Sequence, residues 1–298
     1  MTTTSTTATE AQPGARRRRV SLSRRPRTPL EWILLVIATI GAVLVFLPFL
    51  LIVLNAFKSP QDYANGGPLH LPTSIYLDGI QAFWERVNFP EKVWNSILIS
   101  TLVAVFAVLV SVLNAFAIGI GRVRARTSIV LLFLLANMLP QEALLYPLYY
   151  MFKGVGLYNT VWAVVIIFIV IQTAFGTYLL SSLYGTFPKE ILEAAALDGA
   201  SRWRTLWSVV VPISRPTLAV LLVFFFIWTW NEFLIPITFL ISNKSQTVPI
   251  AIASLQGDRL MDVTTTSGAA LIGLIPTIIF FLIFQRTLSR GITAGATK

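Results

Sequence analysis

The sequence runs to 298 residues, 55% of them hydrophobic and 12% charged, with a formal net charge of +10. Soluble domains carry roughly 45–50% apolar and about 25% charged residues, so this composition excludes an ordinary soluble protein and defines an integral membrane one. Cysteine is absent, which excludes disulfides, thiolate catalysis and cysteine-bound metal. The one histidine, His70, lies in a polar loop beside Pro68 and Pro72 and reads as a surface residue.

Residues 1–29 open with a Thr/Ser/Ala tract and continue through Arg16 to Arg19, Arg24, Arg25 and Arg27. Low hydrophobicity and like charge predict a disordered tail, its arginines near anionic headgroups. Ser23-Arg24-Arg25 faintly suggests a twin-arginine signal. The next apolar stretch is long and no small-residue cleavage site follows it, so an uncleaved first helix is the better reading. Six stretches, at about 31–56, 94–120, 128–150, 159–183, 217–241 and 267–286, suffice to cross about 30 Å of hydrocarbon. The expected architecture is an all-α integral membrane protein: a six-helix domain over 30–288 and a C-terminal tail over 289–298. Pro48, Pro140, Pro147, Pro236 and Pro276 are expected to kink their spans, which lipid tolerates because neighbours re-satisfy the freed carbonyls.

Seventeen of the 23 Lys and Arg residues fall on the N-tail, the 121–127 and 184–216 loops and the C-tail; the other face carries six. The positive-inside rule therefore puts both termini and the 184–216 loop in the cytoplasm. The basic residues flank apolar spans, and no basic helix with interleaved aromatics lies outside them, which argues against nucleic-acid binding. The outer face carries long loops at about 57–93 and 242–266; Trp94 and Trp162 are placed for the interfacial belt.

Polar residues within or near the spans are Asn95, Ser96, Asn114, Asn137, Gln172, Asn231 and Glu232. Trp228, Trp230, Asn231 and Glu232 have two open readings: a polar, aromatic path suited to sugar rings, or interhelical hydrogen bonding that orients the bundle. Gly268, Ala269, Ala270 and Gly273 read as close helix packing in the last span.

The 184–216 loop folds on itself. Pro188 and Glu190 suit the first turn of a helix and Gly199 its end. Ser201 then caps a second helix, in which Trp203, Leu206, Trp207 and Val210 repeat at i, i+3, i+4, i+7 and which Pro212 and Pro216 are expected to stop.

Glu193-Ala194-Ala195, three residues, Gly199, nine residues, then Val209-Val210-Val211-Pro212 resembles the EAA loop of bacterial ABC importer permeases, with valines for the usual isoleucine and leucine. Asn95-Ser96, Met138-Leu139-Pro140 with Pro147, Gly156-Leu157-Tyr158-Asn159-Thr160 and Trp230-Asn231-Glu232-Phe233 are also similar to that family. The ending Gly291-Ile292-Thr293-Ala294-Gly295-Ala296-Thr297-Lys298 resembles that of maltose-type sugar permeases, in their shorter six-helix partner.

The resemblance implies a multi-pass cell-membrane permease, with no enzymatic activity of its own, that pairs with a second permease as a heterodimer. Two ATPase subunits, which hold the ATP, and an extracytoplasmic sugar-binding protein complete the assembly; this chain needs no cofactor. Glu193, Ala194, Ala195, Asp198, Gly199, Val209 and Pro212 would couple to the ATPase, and Gly291, Thr293 and Gly295 would lie on a tail reaching toward it. The outer loop around Gln256 and Gly257 would contact the binding protein, although the aromatic expected late in that loop is missing. In the maltose system the partner permease provides most sugar contacts, which weakens the case for Glu232 as a direct ligand. No Gly-rich Lys-Ser/Thr phosphate loop occurs, so energy must come from another subunit or an ion gradient. The competing expectation is a secondary transporter with Glu232 or Glu142 as coupling carboxylate. A membrane-anchored receptor or scaffold predicts no polar residues in the later spans, contrary to the sequence.

Overall fold

The computed structural model describes residues 28–121, 123–257 and 262–296, with backbone only for Gln256, Gly257 and 286–296. Residues 1–27 of the expected tail lie outside the described residues. Two compact units divide the chain, Met1–Pro48 and Phe49–Lys298. The first unit contributes the start of helix α1 (Pro29–Ala56), which is apolar on every side, a surface suited to lipid or another membrane helix.

In the second unit, α2 (Pro60–Gly66) and α3 (Asp78–Val87) precede α4 (Phe89–Gly119), an uninterrupted rod of 31 residues. Proline in its first turn costs no intrahelical hydrogen bond. Next come α5 (Arg126–Asn137), α6 (Gln141–Gly154) and α7 (Val161–Gly185), the last capped by Thr160, whose hydroxyl accepts from Ala163 N at 3.3 Å. The α4 helix packs along α7 and α10 (Val211–Asn231). Its buried Ala104, Ala107, Ser111 and Ala115 form a small-residue stripe, and in α7 a Cβ on Gly176 would strike the Ser111 side chain. Without a hydrophobic driving force between helices in lipid, such close backbone approach is what holds them together.

The third expected span is broken. Its two halves, α5 and α6, meet at 91°. Pro140 N-caps α6 with extended backbone (φ −66, ψ 134), and a proline disfavours helix at the residue before it. Pro147, by contrast, stays inside α6. With this pair counted as one span, six helical segments among the described residues are long and apolar enough to cross a membrane, five of them continuous.

The fifth span departs further from expectation. After α8 (Lys189–Leu197) and α9 (Arg202–Thr205), a π-turn over Leu206–Val210 feeds directly into α10, so helix runs unbroken from Arg202 to Asn231. Pro212 and Pro216 do not stop it. Val211 N–H reaches back five residues to Leu206 O, loosening the ladder just before Pro212, and Ser214 Oγ donates to Val210 O at 2.7 Å. The π-turn also splits the expected apolar stripe: Leu206 and Val210 are buried, whereas Trp203 and Trp207 are 63% and 37% exposed.

The span ends at Asn231 rather than 241, because Glu232 turns extended and the chain restarts as α11 (Leu234–Phe239). After α12 (Val248–Ala253), α13 runs Val263–Ala296, so the expected tail is helical through Ala296. Its small residues fit the packing reading. A Cβ on Gly268 would stand 2.7 Å from Ile80 of α3, one on Gly273 2.5 Å from Ile252 of α12, and Ala269 is buried.

Candidate functional site

The α8–α9 elbow is built from its backbone outward. Gly199 has φ +71, a left-handed conformation that costs an L-residue roughly 1–2 kcal/mol and glycine almost nothing. Asp198 N donates to Ala194 O, Gly199 N to Ala196 O and Ala200 N to Ala195 O, each at 3.0 Å, closing the α8 carbonyl end. Ser201 Oγ accepts from Arg204 N at 3.3 Å and opens α9.

The motif residues divide by side. Ala195 is buried, and Leu192, Ala196 and Ala200 face Phe116, Ile120 and Gly121 at the end of α4 across a groove of ≈ 320 Å³. Glu193, Ala194, Asp198 and Gly199 are exposed, and so is Leu197, at 89%. Beside them Trp203 and Trp207 meet edge to face at 5.7 Å. Val209 and Pro212 are half-buried where the elbow runs into α10. The elbow thus offers one acidic and apolar face outward while its other face borders the end of α4 across the groove.

The second site lies where two broken elements meet. The Glu232 carboxyl, at the end of α10, interacts with the side chains of Trp228 and of Gln141 in the first turn of α6, with Glu142 nearby. Trp228, Gln141, Asn137 and Leu139 line an adjoining cavity of ≈ 280 Å³ between α5, α6, α7 and α10. Irregular backbone at membrane depth is tolerated where it lines a cavity or is buried in protein. Of the four path candidates, Trp228 and Glu232 come together here. Trp230 does not: it is buried and stacks on Phe226, itself stacked at 3.9 Å on Phe280 of α13. Asn231 is exposed and donates to Ile227 O at 2.8 Å.

Gln141 was not among the sequence candidates; its signal is a polar residue immediately after a helix-breaking proline. Gln256 and Gly257 end a 3₁₀ turn, Ser254–Gly257, and Gly291, Thr293 and Gly295 fall on the last turns of α13; their side chains lie outside the described residues.

Residues 116–294 match the family described as binding-protein-dependent transport system inner membrane component. The chain belongs to this family: it is an ABC importer permease, a transport subunit rather than an enzyme, and a multi-pass membrane protein. It is 31% identical over 272 residues to a trehalose/maltose transport system permease protein of Thermococcus litoralis, covering 90% of this chain and 98% of that one. It is 29% identical to a trehalose transport system permease protein of Mycobacterium tuberculosis over 91% of this chain and 98% of that one. The Bacillus subtilis melibiose/raffinose/stachyose import permease protein is 26% identical, with 92% and 99% covered.

These relatives are those of the maltose-type carbohydrate branch. The fold is shared, at TM-score 0.74 and 19% identity over 88% of this chain and 99% of the other, with a chain of a bacterial ABC transporter involved in import of the acidic polysaccharide alginate. Membership in this family brings a partner permease, an ATPase and a binding protein. It leaves the ion-gradient reading without support.

Proposed function

We propose that this chain is one half of a heterodimeric permease that imports a sugar or oligosaccharide, with both termini and the α8–α9 elbow cytoplasmic. Of the two ATPase subunits, one engages the outward face of this elbow, through Glu193, Ala194, Asp198 and Gly199, and a sugar-binding protein docks at the opposite end near Gln256 and Gly257. The last turns of α13, with Gly291, Thr293 and Gly295, run toward the ATPases. The domain reading is a basic N-terminal tail, a six-span permease carrying the 184–216 coupling loop, and a short C-terminal extension. The observation that carries the proposal is the continuity of helix from the elbow at Arg202 to Asn231, beside Glu232. Closure of the ATPases at one end of this lever displaces the cavity wall at the other.

The cavity sets a limit on what this subunit does alone. Its ≈ 280 Å³ falls just below the roughly 300–1,000 Å³ of ligand pockets, so an oligosaccharide needs a second wall from the partner permease. Trp228 offers an apolar ring face, Asn137 and Gln141 offer hydrogen-bond partners for hydroxyls, and Glu232 stands behind Trp228 and Gln141.

The test is Glu193→Ala and Gly199→Val in the assembled transporter, with Glu232 intact. Uptake of radiolabelled trehalose and maltose is expected to fall at least tenfold while ATP hydrolysis loses its dependence on the binding protein. Uptake that stays normal, or that persists without ATP, overturns the proposal.

A further inference from the structure

Two motifs noted in the sequence, Asn95-Ser96 and Gly156 to Thr160, take no part in the elbow or the cavity. They converge on one segment, the strap of residues 238–248 that joins α11 to α12. On one side Tyr158 OH donates to Thr238 O at 3.1 Å. Asn159, held at φ 62, donates Nδ2–H to Ser242 Oγ at 2.6 Å and accepts from Ser242 N at 2.9 Å. On the other side, the first turns of α4 supply Lys92, Asn95 and Ser96, all buried.

The Lys92 ammonium donates to the backbone carbonyl of Asn243 and, at 2.7 Å, to its Oδ1, with Glu91 Oε2 at 3.7 Å. Asn95 Nδ2 donates to Lys244 O at 2.6 Å and Gln246 O at 3.0 Å, and Ser96 Oγ accepts from Val248 N at 3.0 Å. A lysine sealed from solvent is costly unless its charge is met by acceptors. Here the acceptors come almost entirely from the strap, so the burial holds only while the strap stays in place.

The placement of the strap gives these bonds a use. Upstream it continues from α11 and Glu232, beside the cavity-lining Trp228 and Gln141; downstream it leads through α12 to Gln256. The α4 rod that carries the latch spans about 46 Å at 1.5 Å per residue. Its far end, with Phe116 and Ile120, forms the wall of the elbow groove.

We infer that Lys92, Asn95 and Ser96 are positioning residues that lock the outer strap to α4, so that a binding protein docked near Gln256 acts on the same helix whose far end walls the elbow groove. This rests on the proposed docking and coupling ends.

Asn95→Ala and Asn243→Ala loosen the latch from its two sides, and Asn243→Asp keeps an oxygen acceptor for Lys92. Each is reconstituted with partner permease, ATPases and binding protein, and ATP hydrolysis is read with and without trehalose- or maltose-loaded binding protein. The alanine variants are expected to assemble, to keep basal hydrolysis within twofold, and to lose at least fivefold of the stimulated rate at saturating binding protein. Asn243→Asp is expected to recover most of that rate. Stimulation within twofold of the unaltered transporter in both alanine variants overturns the inference. So does failure of both to assemble, which makes the latch a folding element only. If the unaltered assembly itself ignores the binding protein, the docking and coupling reading fails, and this inference with it.

Discussion

Gln172 in α7 is sealed from solvent and donates to Thr229 Oγ1 of α10 at 2.7 Å, while its own carbonyl oxygen has no partner among the described residues. The sequence offered Gln172 only as a polar residue in a span; its partner lies 57 residues away on a helix whose rotation the sequence did not fix. Interhelical hydrogen bonds in lipid are worth about 0.6 kcal/mol on average and about 1.7 kcal/mol at most. Thr229→Val should therefore destabilise the chain by about 0.6–1.7 kcal/mol in detergent unfolding. The double variant with Gln172→Leu should cost less than the two singles summed, because each then removes the other's stranded partner. Strict additivity would show that the two side chains do not act as a pair. The same distinction, residue type legible and partner not, applies to Lys92. Counted from sequence as one of six outer-face charges, it proves to be a buried tether.

Among the elements, the decisive one is the π-turn of Leu206–Val210. The spacing of Trp203, Leu206, Trp207 and Val210 fits a continuous amphipathic helix, and the prolines read as stops. Both expectations assume that every turn closes at i−4. One turn closing at i−5 lets helix pass Pro212 and turns the tryptophans outward. Deleting Ser208 would return the turn to i−4 closure and tighten the junction between the elbow and α10 by one residue. The expected outcome is a transporter that assembles and hydrolyses ATP but no longer moves sugar, measured by hydrolysis and uptake on one preparation. Uptake within twofold of normal would show that the register of this turn is irrelevant to coupling. The break at Pro140 is the opposite case. There a kink was expected from the sequence, but not that its 91° bend would bring Gln141 to Glu232, since that contact depends on where α10 ends.

For the whole molecule, the Lys/Arg bias predicts the orientation, and the cysteine-free sequence makes it directly measurable. Single cysteines at Asn65 and at Thr186 or Asp198 should divide cleanly. A membrane-impermeant maleimide is expected to label the first in intact cells and the other two only in inverted vesicles. Labelling of Asp198→Cys from outside would reverse the topology and remove the elbow from any cytoplasmic ATPase.

Composition determined that the chain is a helical membrane protein with apolar stretches long enough for six crossings, and the Lys/Arg bias sets the expected orientation, because hydrophobic length and charge bias are sums over sequence that need no contacts. Local spacing determined the elbow too, because a left-handed glycine between a capped and an uncapped helix is a short-range demand. Tertiary structure alone decided which polar residues meet. Glu232 joins Trp228 and Gln141, Trp230 is taken into the core, and Lys92, Asn95 and Ser96 grip a strap about 150 residues away. Each of these depends on helix rotation and on where a helix ends, which are set by the packing of small residues such as Ser111 against Gly176 rather than by any run of neighbouring residues.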